Sequence, residues 1–380
     1  MTLLRNVTLG FTLVTFSVGI TLLLFTTVDR TLYSPMFLPR PHPRISYDLY
    51  PDEIKLLDFP HFRYIINNDV CGTVNRGGEV DDVKAILLVT SYANDVETRS
   101  YVRQAYPSDE LKKLGVRRVF LLARINGATV KNPVPQNALL DENKRFSDLI
   151  QGNFYEAYRN LTYKHMMGLH WVTRYCPQAK YIIKMDHDIV IDMYRLMELL
   201  SHKQYSKPLL LGYVFRGMVP VREPANKWYV TRNEYPNSVY PPFLSGWLYV
   251  TTPDVALKLL EVSKKINYFW IDDTFVTGIL AKYARIKLQD ISEHFTANSE
   301  YIECCLKYVG GPKYTCDYIV GPNGGDVKLI VKFQKYAYFC YVNQCPKRSP
   351  AKALNKTCVT QWKAKPLTKG HGEVNPIQLF

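Results

Sequence analysis

The residues of this sequence best placed to do chemistry are carboxylates in two short runs. Asp186-His187-Asp188 follows an apolar stretch from Tyr181 to Met185, and Asp272-Asp273 follows Phe269-Trp270-Ile271. Two carboxylates crowded among apolar neighbours repel one another and are costly to ionise without a nearby cation. Alternate residues on extended backbone face the same way, so Asp186 and Asp188 are expected to address one ion, with His187 turned away. Oxygen ligands suit Mg²⁺ or Mn²⁺, which can bridge to a diphosphate and neutralise the charge of a departing nucleotide. The competing reading is a turn, because Asp is common where a strand ends. The second pair opens an apolar-periodic segment, Phe275 to Tyr283. One of its aspartates is expected to cap that helix. The other is free to act as general base toward a hydroxyl, kept ionised by the helix dipole.

These side chains need strands and helices to hold them. Lys84–Thr90, Arg117–Arg124, Tyr181–Met185, Leu209–Phe215 and Trp247–Thr251 are short apolar runs of the kind that form buried strands. Helices are expected at Val96–Tyr106 (capped by Asn94 or Asp95), at Tyr155–Cys176, at Met193–Leu200, and from Thr252-Pro253 through Lys265. Such alternation implies an α/β fold with an open, mostly parallel sheet, in which ligands bind at the carboxyl ends of the strands.

The chain has 380 residues, enough for one large domain or two small ones, and a formal net charge of +14. Its basic residues are scattered, without a Lys/Arg stripe interleaved with aromatics, which argues against nucleic acid as a partner. Val7 to Val28 carries no charge. At about 1.5 Å per residue it covers the roughly 30 Å of bilayer hydrocarbon and exceeds the apolar core of a cleaved signal peptide. The prolines at 35, 39, 41 and 43 then mark an extended stem. The eight cysteines, Cys71, Cys176, Cys304, Cys305, Cys316, Cys340, Cys345 and Cys358, show no paired metal-binding spacing. They read as disulfides of an oxidising lumen, with adjacent Cys304 and Cys305 paired to different partners. Sequons at Asn160 and Asn355 suit the same compartment.

Several segments, in order, resemble the β-1,3-galactosyltransferase family, which includes related β-1,3-N-acetylglucosaminyltransferases. They are Phe62 to Cys71, Arg99 to Arg103, Phe120 to Ala123, Glu142 to Ile150, Tyr158 to Lys164, Trp171 with Cys176, Lys184 to Asp188, Lys227 to Val230, Tyr235-Pro236, Tyr240 to Gly246, and Asp272-Asp273. The resemblance implies a GT-A fold with a Rossmann-like nucleotide-binding sheet, a UDP-sugar donor and Mn²⁺. It also implies an inverting transfer to a glycan hydroxyl on glycoprotein or glycolipid, in a type II Golgi membrane protein with a lumenal catalytic domain. On this resemblance Asp188 is the principal metal ligand, Asp186 lies nearer the donor, and Asp273 is the base, with Asp272 close enough to exchange roles. Arg99, Arg103 and Lys184 belong to the nucleotide site, although by spacing alone the two arginines read as salt-bridging residues of a helix surface. Ser245 and Gly246 contact donor and acceptor. Many family members supply a late histidine to the metal, and His294 is the one histidine between Asp273 and His371.

Two positions depart from the family pattern, with Tyr106 at an aromatic position that usually holds Trp and Asp272 where Glu is usual. The expected division is a cytoplasmic tail (1–6), a transmembrane signal anchor (7–28), a lumenal stem (29–60), the catalytic domain (61–300) and a cysteine-rich C-terminal extension (301–380). The rival function is a non-catalytic, glycan- or partner-binding member of the same fold.

Overall fold

The computed structural model describes residues 54–72, 82–202, 208–307 and 313–360. The expected tail, anchor and most of the stem lie outside these residues, and no helix among them is long and apolar enough to cross a membrane. The described strands are β1 (Ile54–Leu56), β2 (Phe59–Phe62), β3 (Tyr64–Ile66), β4 (Ala85–Thr90), β5 (Val116–Arg124), β6 (Leu149–Tyr155), β7 (Tyr181–Asp186), β8 (Ile189–Ile191), β9 (Leu210–Phe215), β10 (Phe243–Thr251), β11 (Gln289–Asp290) and β12 (Val320–Pro322).

Eight strands form one sheet in the order β11-β9-β10-β7-β4-β5-β6-β3. Its centre, β7-β4-β5-β6, is parallel. β10 runs antiparallel to β7 and β9, and β3 antiparallel to β6. The sheet is therefore mixed, where a mostly parallel one was expected. After β9 the chain doubles back through residues 216–242 without the helical crossover that a parallel neighbour requires.

The central strands are buried on both faces, as their unbroken apolar runs imply. Ile86 and Leu88 of β4 share a core with Met166 and Leu169 of helix Leu161–Tyr175 and with Val255 of helix Pro253–Ser263. Ala85, Leu87 and Val89 share the opposite core with Val102 of helix Val96–Ala105 and Ile330 and Phe333 of helix Val327–Val342. A Cβ added to Gly168 would lie 2.5 Å from Leu121 Cδ1, so this glycine lets its helix ride close on β4 and β5. Tyr155, expected within that helix, ends β6 instead, and the helix starts at Leu161. β6 is nearly all buried and so lacks the two-residue alternation that marks a half-exposed strand.

The segment expected as an extension beyond residue 300 shares this core. Ile302, Cys305, Val320, Ile330, Phe333 and Leu354 pack with residues of β4, β5 and β7, and β12 pairs with β8. All eight cysteines are bridged, as Cys71–Cys176, Cys304–Cys358, Cys305–Cys316 and Cys340–Cys345. The adjacent pair takes different partners, as expected.

Candidate active site

β4 and β7 end side by side, with Thr90 opposite Asp186, so both carboxyl ends open on one edge of the sheet. The extended backbone stops at Asp186, and His187 and Asp188 form the turn into β8. The strand and turn readings of this motif thus each hold for part of it. Asp188 is exposed, while His187 folds back, with Nδ1 at 3.0 Å from the Thr90 carbonyl and Nε2 at 3.4 Å from Asp95. His187 therefore holds the turn against the loop after β4.

Lys184, two residues before Asp186 on the same strand face, is buried. Its ammonium donates to Asp186 Oδ1 at 2.6 Å and to the Gly246 carbonyl at 2.5 Å. The second contact spans to β10, whose register slips between Leu244 and Tyr249, so Ser245 and Gly246 pass the end of β7 as an irregular strip. Ser245 is buried and its Oγ accepts the Trp247 N–H at 3.3 Å. A Cβ on Gly246 would stand 3.4 Å from Asp273 Oδ2, so the bare backbone leaves that carboxylate uncovered.

Asp273 opens a π-helical turn, Thr274–Leu280, and its Oδ1 accepts the Thr274 N–H at 2.6 Å. Expansions of this kind recur at functional sites. Thr277 Oγ1 donates to the Asp273 carbonyl at 2.7 Å and accepts the Leu244 N–H at 2.8 Å, which fixes the helix start against β10. Asp272 turns inward, with Oδ2 2.9 Å from Nδ1 of buried His165.

Lys184, Asp186, Asp272 and Asp273 form one electrostatic cluster, with Asp188 acting on Asp186. Burial, with the charges of Asp188 and Asp272 adding and Lys184 opposing, pushes Asp186 up to about 6. Burial and the charge of Asp272 push Asp273 up to about 7. Burial works the same way on Asp272, but the His165 hydrogen bond and Lys184 outweigh it and hold this carboxyl down at about 2. Burial lowers Lys184, yet the surrounding aspartates raise it above the ordinary lysine value. Four carboxylates around one lysine leave excess negative charge, which a hard divalent cation on Asp186 and Asp188 would offset. Among the described residues no group of three or more His, Cys, Asp or Glu side chains could hold a metal alone.

Other expected residues sit elsewhere. His294 lies on a short 3₁₀ turn, and the charges that act on it are Glu293, Arg195 and Lys347 rather than the aspartates. Its carbonyl accepts the Ile319 N–H at 2.8 Å, just before β12 pairs with β8, and it does not join the pair as a third ligand in a group of three. Arg99 is fully buried. Its guanidinium binds Glu142 twice, at 2.8 and 2.6 Å, and the carbonyls of Tyr92, Ala93 and Asp95. Arg103 binds Glu142 and Asp148, and Asp148 also binds Arg118. Neither arginine points a free fork at a ligand. Together they shape the 91–95 loop, which Lys164 also grips through the Ser91 carbonyl and Glu156.

Sequence reasoning missed three side chains of this region. His165 and Tyr249, whose hydroxyl lies 2.5 Å from His165 Nε2, stand behind Asp272. Tyr158 accepts the Trp228 indole N–H at 2.9 Å and feels the charges of Asp272, Asp273 and Asp186. His165 carried one signal: a histidine beside Lys164 in an otherwise apolar helical stretch.

Residues 97–292 match the protein family described as Galactosyltransferase. Human β-1,3-galactosyltransferase 5 is 37% identical over 207 residues, which are 54% of this chain and 65% of that protein. Human β-1,3-galactosyltransferase 2 is 34% identical over 232 residues, 58% of this chain and 51% of that protein. The matched part thus spans less than two thirds of either relative's length. Among solved structures, the galactosyltransferase LgtC in complex with donor and acceptor sugar analogues shares 12% identity over 67% of this chain and 95% of that one, at a TM-score of 0.33. The family match covers more than half of the chain, including both aspartate pairs, and the chain belongs to the galactosyltransferase family.

Proposed function

We propose that this protein transfers a hexose, galactose in the first instance, from a UDP-sugar to a glycan hydroxyl with inversion, forming a β-1,3 linkage. The observation that supports this most is the meeting of Lys184, Asp186, Gly246 and Asp273 at the carboxyl edge of the sheet. The oxygen donors Asp186 and Asp188 would hold a hard divalent cation such as Mn²⁺. When bound there, the ion supplies Lewis-acid neutralisation of the departing diphosphate. Lys184 holds Asp186 and the Gly246 carbonyl in place. Asp273 takes the proton of the attacking hydroxyl, since its carboxyl is poised near neutrality and lies open beside Gly246. Asp272, tied to His165, stays charged. The acceptor enters beside Tyr158 and Trp228, on a glycoprotein or glycolipid, and the setting is the Golgi lumen, reached through the chain's own anchor at 7–28.

A donor screen tests this. The soluble body from about residue 45 onward is incubated with UDP-galactose, UDP-N-acetylglucosamine and UDP-N-acetylgalactosamine, with Mn²⁺ or chelator, and product linkage is determined. Transfer of galactose in a β-1,3 linkage, lost on chelation, is expected. Turnover indifferent to chelation would remove the metal, and no turnover over a broad acceptor panel would favour a binding protein.

A further inference from the structure

Behind the reacting edge lies a hydrogen-bonded line that the proposed reaction has not yet used. His165 is buried, with Asp272 on one ring nitrogen and Tyr249 on the other. Asp272, as a carboxylate, can only accept, so Nδ1 must carry the proton. Nε2 is then bare and accepts the Tyr249 hydroxyl, whose own burial keeps the phenol protonated. Both hydrogen bonds therefore point the same way, from Tyr249 through the neutral imidazole to Asp272. The imidazole and phenol rings lie 5.4 Å apart, so packing as well as hydrogen bonding fixes the histidine. The three residues come from three elements: helix Leu161–Tyr175, β10 and the segment before the π-helical turn.

We propose that His165 and Tyr249 are positioning residues that assign the roles of the adjacent aspartates, by pinning Asp272 as the charged, immobile member and leaving Asp273 to receive the acceptor's proton. The assignment rests on the transfer reaction proposed above. Adjacent carboxylates in one buried site compete for a single proton, and the member whose charge is the better stabilised loses the competition. The other groups facing Asp272 are Lys184 and Asp186 of β7, Tyr158, and Tyr268. Of these only Lys184 carries positive charge, and it acts on Asp272 more than on Asp273. Asp273 accepts its own bond from the Thr274 N–H, so the side-chain bond from His165, added to the stronger pull of Lys184, makes the two unequal.

The test compares His165→Leu, His165→Asn and Tyr249→Phe in the soluble body. Asn places an amide N–H where Nδ1 stands and restores the bond to Asp272, whereas Leu cannot. For His165→Leu, kcat is expected to fall about 10–100-fold with the donor KM within about twofold, because the donor-side carboxylates are untouched. His165→Asn should recover most of that loss, and Tyr249→Phe should fall between. In ¹³C spectra of aspartate-labelled protein, the Asp272 carboxyl should stay ionised from about pH 5 to 8 in wild type and titrate in His165→Leu. An unchanged kcat in His165→Leu, or equal losses in the Leu and Asn variants, would overturn the assignment. A wild type inactive with every donor would sink the transfer reaction, and the carboxyl spectra would still decide whether His165 pins Asp272.

Discussion

Around the loop after β4, Glu142, Asp148 and Glu156 are each met by a buried cation: Arg99 and Arg103, Arg103 and Arg118, and Lys164. At the end of β7, Asp186, Asp272 and Asp273 share Lys184, and Asp188 stands exposed beside them. Both regions border the same sheet and pair carboxylates with buried cations. In the first, charge is closed within the protein and the carboxylates have no capacity left for a ligand. In the second, carboxylates outnumber the one lysine beside them. The balance of charge, more than burial, separates the part that shapes the loop from the part proposed to react.

Substitutions on the two sides should break this contrast differently. The largest effect is expected from Asp273→Asn, with kcat down about 10³-fold or more while UDP affinity by calorimetry stays near wild type. A full rate would return the base role to Asp272. Glu142→Ala leaves Arg99 and Arg103 buried without their shared partner, at a cost of about 3–5 kcal/mol in a urea melt. A loss of rate with unchanged stability would place this carboxylate in the reacting set. Next, Mn²⁺ at about a hundredfold over Kd should stabilise the fold by about 2.7 kcal/mol, and Asp188→Ala should abolish that gain in calorimetric melts.

The smallest effects follow pH. Asp273 is pushed up to about 7, and as the proposed base it must be ionised to act. kcat/KM should therefore drop about tenfold per pH unit below about 7 and level off above it. Asp186, pushed up to about 6, binds its proton more tightly in the folded chain than in the unfolded one. Its contribution to stability is therefore present at low pH and lost as pH rises from the ordinary carboxylate range through about 6. A metal-free melting temperature that rose over this interval would contradict that excess of negative charge.

Much of the reacting side was legible in the sequence. The run Tyr181 to Met185 forces a buried strand, and whatever follows it emerges at the sheet edge, so Asp186 and Asp188 could be placed. The partners of Arg99 could not, because Glu142 is 43 positions away and spacing does not encode such pairings. A helical face four residues apart looks the same whether its arginines meet solvent or buried acids. His165 was hidden for a similar reason, since its partners lie 107 and 84 positions on. The packing of the segment beyond residue 300 was hidden too, because β12 is three residues long and leaves almost no pattern in the sequence, yet it pairs with β8.

That small strand sets an order of assembly. The Asn323 N–H binds the Asp188 carbonyl at 3.0 Å, and β12 closes on the segment that follows it. A ribosome has finished the whole central sheet long before it reaches residue 320. During synthesis the turn that carries Asp188 therefore waits for its clamp, and the face of β4 covered by Ile330 and Phe333 waits with it. Two disulfides, Cys305–Cys316 and Cys304–Cys358, then fasten the late segment. The acidic turn is thus secured by the last-made part of the fold, the same part whose Ile330 and Phe333 cover one face of the sheet.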